Sequence, residues 1–568
     1  MTKNILEVTD LKDMLNKTRE LYGNKPGYKI KIGKGTYKTY THNEIRDMIN
    51  YLGTALISLG LKDKRIAVIG ENRYEWELAY LSVACGTGIV VPMDRSLPAN
   101  ELEEVIERSE VEAIFYSKKY EETIKKIKYS EKNKLKHLIS MDAHVHEEGI
   151  YSEKELIEKG KELLDAGNRE YINAKINPEE MRIMLFTSGT TTKSKVVALS
   201  HKNLISNVMD YASVVDVDSN DRILSFLPLH HVYECTVGML VSLYVGAERS
   251  FCDGIRHIVE NLNEYKITYA AFVPAIYEIM YKNIWKTLEK EGKIEETKKL
   301  MEEYKDKSME EKKKVFQEIH DIYGGNIKLF ISGAAALDKE VIETFRNWGI
   351  NLCQAYGLTE TSPIIGIETN EHHRIGSIGK PIPHVQARID EADEDGVGEL
   401  VVKGPNVMLG YYNDKKATES VMEDGWFHTG DLAKIDEDGY IFICGRKKSV
   451  IVLKNGKNIY PEEMENLVNK IEGVKESFIF GKQQTDDKDN IKIHVKIVFD
   501  KEIMKEAYKV ESEEDIYRVL AEKIKEVNSV MPKYKAIRGI LVSEEPLIKT
   551  TTGKIKRQAN LELIEKVL

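Results

Sequence analysis

RIAVIGENRYEWELAYLSVACGTGIVVPMDRSLPANELEEVIERSEVEAIFYS (residues 65–117) alternates two apolar patterns. RIAVIG (65–70), GIVVPMD (88–94) and AIFYS (113–117) are short, nearly unbroken apolar runs, as in strands buried on both faces. Between them, WELAYLSVACG (76–86) and ANELEEVIERSE (99–110) have the length and spacing of helices. Strand–helix–strand repetition with short links predicts an α/β fold with a parallel, doubly wound sheet covered on both faces.

The same alternation extends in both directions. Upstream, Thr41 and Glu44 form a capping box ahead of Ile45, Met48, Ile49, Leu52 and Leu56 at helical spacing. Downstream, ILSFLPL, a long apolar helix, KITYAAFVP, KLFISG and NLCQAYG continue it. A Lys/Glu-rich stretch at about 282–325 reads as a solvated helical hairpin inserted into this domain. After 376 the strands shorten and Gly/Asp turns multiply (EDGVGEL, EDGWFHTGD, DEDGYIFICG), predicting a β-rich subdomain to about 446. PEEMENLVNKIEG, KESFIF, IKIHVKIVF, a helix near 514–527 and IRGILVS then predict a small α+β domain. The expected division is a large N-terminal domain, 1–446, and a mobile C-terminal domain, 447–568.

The chain's 568 residues exceed one compact core. With 42% hydrophobic and 31% charged residues, the composition is that of a globular protein. A net charge of −10 argues against nonspecific nucleic-acid binding. Cys85, Cys235, Cys252, Cys353 and Cys444 lie in apolar segments without metal or redox spacing, which predicts buried free thiols in a reducing compartment. The start MTKNILEVTD has no apolar signal region, and no stretch is long enough to span a bilayer. The expected location is therefore cytoplasmic, with weak membrane contact left open.

LFTSGTTTKSKVVALSH (185–201) brings hydroxyls, a glycine and two lysines together directly after an apolar run. A phosphate loop needs converging backbone N–H groups, small residues and cations, and Thr187 to Lys195 supplies them. No Gly-Lys-Ser/Thr closes it, so it is not the P-loop of NTPases. Taken alone, it fits an ordinary polar loop equally well.

Further stretches follow in order: SFLPLHHVYE, SGAAALDKEV, AYGLTETSP, GELVVKGPNVMLGYYND, DGWFHTGD, GYIFICGRKK, LKNGKNIYPEEME and LIKTTTGKIKR. From about Tyr37 to Arg557 the set resembles the AMP-forming adenylating enzymes: acyl-CoA synthetases, luciferases and peptide-synthetase adenylation domains. LPLHHVYE and the helical insertion look like the long-chain fatty acyl-CoA synthetase branch. The resemblance implies a large N-terminal domain and a mobile C-terminal domain, with ATP and coenzyme A as substrates and Mg²⁺ as cofactor.

Roles are implied residue by residue. Thr187, Ser188, Gly189, Thr190, Thr191 and Lys195 would hold the triphosphate. Tyr356 would stack on adenine beside Gly357, with Ala335 as a pocket wall. Thr359 would contact the α-phosphate and Glu360 would bind Mg²⁺, a hard cation suited to carboxylate oxygen. Asp431 would accept the ribose hydroxyls and Arg446 would donate to the ribose. Lys554 would bridge the substrate carboxylate and the α-phosphate, where negative charge gathers as pyrophosphate leaves. His231 would line the acyl pocket in a positioning or gating role. Lys447 is at the hinge position, and Gly456 would let a pantetheine arm pass. The implied chemistry forms acyl-AMP and pyrophosphate, then transfers the acyl group to a thiol.

The opening loop departs from the family, which usually has Gly at Thr192, Pro at Ser194 and Gly at Val196. Thr192 implies strain or an altered local path, Ser194 releases a φ restraint, and Val196 is a third place where ATP handling could differ. Two alternatives remain open: an enzyme that loads an acyl carrier protein, and a noncatalytic nucleotide-binding regulator.

Overall fold

The structure, a computed structural model, describes residues 5–130, 132–146, 149–187, 194–454, 457–484, 487–549 and 554–567, the side chains of 484–490 and 567 excepted. Ser188, Gly189, Thr190, Thr191, Thr192 and Gly456 lie outside the described residues. The fold is mixed α/β, with a large N-terminal sheet domain and a smaller C-terminal one. Two compact units divide the chain: Met1–Thr187, Ser194–Gln386 and Val402–Phe427 in one, Ala387–Val401 and His428–Leu568 in the other.

Among the described residues, two large sheets lie in the first unit. One has eight strands, in the order Gly410–Tyr411, Val196–Ser200, Met181–Phe186, Ile89–Pro92, Arg65–Ile69, Ala113–Tyr116, His137–Ser140 and Ile150–Ser152. The ladders among Ile89–Pro92, Arg65–Ile69, Ala113–Tyr116 and His137–Ser140 are parallel, as the apolar runs predict. Their residues are almost fully buried: Ile66, Ala67, Val68, Val90, Val91, Ile114 and Phe115 are all at 0% exposure. The helix Ala99–Ser109 sets Leu102, Val105 and Ile106 against this sheet. LFTSGTTTKSKVVALSH connects two antiparallel strands, with Phe186 opposite Val196. Val196 is an ordinary strand residue with no left-handed φ, so glycine is not required there.

The other sheet has nine strands, Lys380–Pro381, Ile364–Ile367, Leu352–Gly357, Leu329–Ser332, Tyr269–Phe272, Arg222–Ser225, Glu248–Phe251, Pro26–Gly33 and Thr36–Thr41. It is parallel in the middle and antiparallel at both ends. The N-terminal hairpin Pro26–Thr41 is not evident in the sequence pattern, because most of its residues are exposed or only partly buried. The capping box at Thr41 and Glu44 is present, and Ile45, Ile49, Leu52 and Leu56 form the buried face of His42–Ser58.

The insertion at 282–325 differs from the expected helical hairpin. The end of Pro274–Lys290 leads into three more helices, Ile294–Tyr304, Met309–Val315 and Gln317–Ile322. Trp285, Phe316, Ile319 and Tyr323 pack into the core around Phe345 and Trp348. These few apolar anchors fix the chain while its Lys/Glu-rich face stays solvated.

In the second unit, the end of Trp426–Ile435 pairs antiparallel with Ile441–Arg446. A three-stranded sheet follows, with Val474–Gln484 antiparallel and Ile537–Ser543 parallel to Asp487–Phe499. Helices Pro461–Val468 and Glu513–Ser529 pack Met464, Val468, Ile516, Leu520 and Ile524 with Val495 and Ile497. Among the described residues, no helix is long and apolar enough to cross a membrane.

Candidate active site

In the first unit, the quoted loop has a closed base. Thr187 donates its N–H to the Lys195 carbonyl at 2.9 Å, and its hydroxyl lies 3.3 Å from the same oxygen. The Lys195 ammonium stands 4.2 Å from the Tyr411 ring centroid, a cation–π contact. Tyr411 lies on Gly410–Tyr411, opposite Val197 of the strand after the loop. Its hydroxyl donates to Glu360 Oε1 at 2.9 Å. Burial, reinforced by Glu360, raises the Tyr411 pKa, so the phenol stays protonated and remains a donor. Lys195, Tyr411 and Glu360 thus form a chain in which one ring serves both a cation and a carboxylate.

YGLTE leaves the strand Leu352–Gly357 and turns through Thr359–Thr361. Tyr356, Gly357, Thr359 and Glu360 are all partly buried. A Cβ at Gly357 would lie 1.8 Å from the Pro363 carbonyl oxygen, so the turn requires glycine. Two buried asparagines hold the turn: Asn207 Nδ2 donates to the Ile364 carbonyl at 2.8 Å, and Asn406 Nδ2 donates to those of Thr361 and Ile364 at 2.9 and 3.0 Å. The Met408 N–H donates to the Glu360 carbonyl at 2.8 Å. Ala335 is exposed in the loop after Leu329–Ser332, where a Cβ on Gly333 would come within 2.8 Å of the Tyr233 ring.

His231 is partly buried and begins the turn into Glu234–Leu240. Its ring centroid is 4.1 Å from that of His230. His230 is buried beside Asp94, at 3.3 Å, and burial lowers its pKa well below the usual histidine value. The ends of SFLPLHHVYE are fixed by a dry charged cluster. Arg249 donates to Glu77 Oε1 and Glu234 Oε1, each at 2.6 Å, and to Ser225 Oγ at 3.0 Å. Asn72 Nδ2 donates to Ser225 Oγ at 2.9 Å and to the Leu227 carbonyl at 2.6 Å.

In the second unit, Asp431 and Arg446 face each other across a hairpin, with Arg446 Nε 2.7 Å from Asp431 Oδ1. Asp431 is buried, whereas the Arg446 side chain is 46% exposed. Gly430 adopts a φ of 71° and donates its N–H to Glu399 Oε1 at 3.0 Å. Lys447 Nζ reaches Glu399 and Glu391 at 2.9 and 3.2 Å. Burial pushes Glu399 up, but Lys447, His428 and the Gly430 N–H outweigh it and keep the carboxyl below its ordinary pKa. Lys554 is exposed one residue before Ile555, which bridges to Lys549 and packs against the Phe478, Phe480 and Leu547 cluster. The Lys556 N–H donates to the Ile548 carbonyl at 2.9 Å, so both residues after Lys554 are anchored.

Residues 19–412 match the AMP-binding enzyme family, and 448–567 match the AMP-binding enzyme C-terminal domain. The chain belongs to the AMP-binding enzymes. It is 28% identical over 508 residues to a long-chain-fatty-acid–CoA ligase 1 of Cavia porcellus, covering 84% of this chain and 72% of that one. Its fold is similar to that of ATP-bound MatB from Rhodopseudomonas palustris, with TM-score 0.75, 22% identity, and coverage of 98% of this chain and 99% of that one. It is also similar to the anthranilate CoA ligase AuaEII in complex with anthranoyl-AMP, with TM-score 0.76, 19% identity and 98% of both chains covered. At the level of the family, these matches support AMP-forming acid–CoA ligase chemistry.

For this AMP-binding enzyme, the donor chemistry at Glu360 fits Mg²⁺. The carboxylate is partly exposed, one oxygen is already oriented by Tyr411, and Mg²⁺ typically takes one or two carboxylates together with substrate phosphates. Among the described residues, no group of three or more His, Cys, Asp or Glu side chains forms a cage for a metal. No local spacing in the sequence assigns a role to Tyr411, Asn207, Asn406 or the Arg249 cluster. GYYND was visible as part of a motif, but its tyrosine had no local partner to suggest one.

Proposed function

We propose that this AMP-binding enzyme activates a fatty acid at the expense of ATP and passes the acyl group to coenzyme A. The Lys195–Tyr411–Glu360 chain carries this reading, because it orients a cation and a hard carboxylate within one unit of an AMP-binding fold. The curated relative that acts on long-chain fatty acids supports the choice of acid.

In the first half-reaction, a carboxylate oxygen bonds to the α-phosphorus of ATP as the bond to pyrophosphate breaks. Lys195 would hold phosphate oxygens from the base of the loop, together with Thr187. Tyr356, Gly357 and Ala335 would frame the adenine, and Thr359 would donate to the α-phosphate. Asp431 would accept the ribose hydroxyls, oriented by Arg446. Mg²⁺ held by Glu360 would supply charge neutralisation at the phosphates. Lys554 would stabilise the charge that accumulates between carboxylate and α-phosphate, and His231 would position the acid. In the second half-reaction, sulfur bonds to the acyl carbon as the bond to AMP breaks. A rotation about Lys447 would exchange Lys554 for a path that admits the thiol.

The test is acid-dependent ATP–pyrophosphate exchange over acids of many lengths, with product masses read with coenzyme A or a holo acyl carrier protein. Acyl-CoA from fatty acids is the expected product. Acyl carrier protein as the sole productive acceptor would replace coenzyme A, and nucleotide binding without exchange would end the enzymatic reading. Lys554→Ala should lose roughly 100-fold or more in exchange while retaining ATP binding.

A further inference from the structure

We propose that Arg108 is a positioning residue for the nucleotide site and fixes Lys195 by gripping the residue before it. Arg108 is in the last turn of the helix Ala99–Ser109, in the same unit as the loop base. Its Nη1 donates to Ser194 Oγ at 3.1 Å, and its Nη2 donates to the Ser194 carbonyl at 2.7 Å. The same guanidinium lies 5.4 Å from the ring centroid of Phe186, the last residue of the strand that enters the loop. One side chain therefore touches both described flanks of the loop.

The next carbonyl, that of Lys195, is held by the Thr187 N–H. Two consecutive carbonyls are thus fixed by donors from different segments, and the Lys195 side chain leaves the backbone between them. A lysine side chain has several rotatable bonds, so a fixed origin narrows where its ammonium is found. The Tyr411 ring restricts the other end. Arg108 also adds positive charge beside the loop, and the carboxylate of Glu104 is a looser 3.6 Å away.

The geometry requires a planar fork. Lysine would keep the charge but could not span the hydroxyl and carbonyl of Ser194 together with the Phe186 ring. Removing the Ser194 hydroxyl leaves the shorter bond to the carbonyl intact. Ser194 is the sequence departure whose consequence was open, and Arg108 supplies a restraint there from a distant helix.

This inference rests on the proposed ATP site, and the experiment separates the two. ATP binding is measured by calorimetry without acid, and the KM values for ATP and acid are measured alongside thermal unfolding, for wild type, Arg108→Ala, Arg108→Lys and Ser194→Ala. Arg108→Ala should weaken ATP binding about tenfold, Arg108→Lys nearly as much and Ser194→Ala about threefold, because these bonds act on ATP only through the restraint they place on Lys195. The acid KM and unfolding temperature should change little. If wild type binds no ATP, the proposed site fails and the positioning role fails with it. If wild type binds ATP and Arg108→Ala binds equally well, the positioning role alone fails. An Arg108→Lys that restores full binding, or losses in unfolding temperature and acid KM that match the loss in ATP binding, would reduce Arg108 to a charge or to a structural tie.

Discussion

The first unit holds a cation and carboxylates together in two different ways. At Arg249 the charges meet directly: the guanidinium contacts Glu77 and Glu234 at 2.6 Å, and these three side chains are at most 2% exposed. At Lys195 a tyrosine intervenes: the ammonium faces the ring of Tyr411, and the carboxylate of Glu360 takes its hydroxyl. Among the described residues, Lys195 and Glu360 form no ion pair with each other. Directly paired charges in a dry interior are committed to one another and serve the fold. Charges separated by a neutral aromatic side chain are oriented but remain available to a ligand. The contrast explains why one cluster ties down SFLPLHHVYE while the other fits a nucleotide site.

The sharpest break in this comparison is Arg249→Leu. It leaves two carboxyl groups buried without their cation, and loss of one partner from a buried pair costs about 3–5 kcal/mol. Chemical denaturation at neutral pH should show a loss of that size. The loss should shrink at lower pH, as the carboxyl groups take up protons. An unchanged midpoint would mean that the cluster contributes nothing beyond its volume.

A pH titration sharpens the same side of the comparison. Burial pushes the Glu234 pKa up from its ordinary 4.5 to about 7, against the opposing pull of Arg249. Burial raises Glu77 as well. One guanidinium between two carboxyl groups leaves the cluster short of one positive charge, and a shared proton restores neutrality. The folded state therefore binds this proton more tightly than the unfolded chain does. Its contribution is fully present below about pH 4.5 and is lost as the pH rises through about 7. Between these values, wild type should lose stability relative to Glu234→Gln, which has no proton to release. Parallel stability curves for the two proteins would remove the shared proton.

The fold and the contacts that hold the site were unequally legible in the sequence, for a physical reason. Residues 65–117 carry their fold in local patterns, because strands buried on both faces are apolar throughout and the helices between them show an amphipathic period. The hairpin Pro26–Thr41 is partly solvated, so its pattern is weak. Site residues were identified through motifs, whereas the groups that hold them come from far along the chain. Tyr411 is 51 residues from Glu360, and Arg108 is 86 from Ser194. Glu77 and Arg249 are 172 apart. No local spacing announces such pairs, and only the sheet order brings them together.

The smallest and most selective change is Tyr411→Phe. It keeps the ring beneath Lys195 and removes only the hydroxyl that orients Glu360. A single hydrogen bond to a charged group contributes about 1.5–3 kcal/mol, and the partial exposure of Glu360 lets water replace some of it, so the expected effect is about 1 kcal/mol. That corresponds to a roughly fivefold higher Mg²⁺ concentration for half-maximal exchange. ATP affinity measured without metal should be unchanged, because the Lys195 contact survives. Tyr411→Leu should weaken both, since it removes the ring as well. Equal Mg²⁺ dependence in wild type and Tyr411→Phe would show that the hydroxyl does not orient the carboxylate, and the contrast with the Arg249 cluster would then rest on the ring alone.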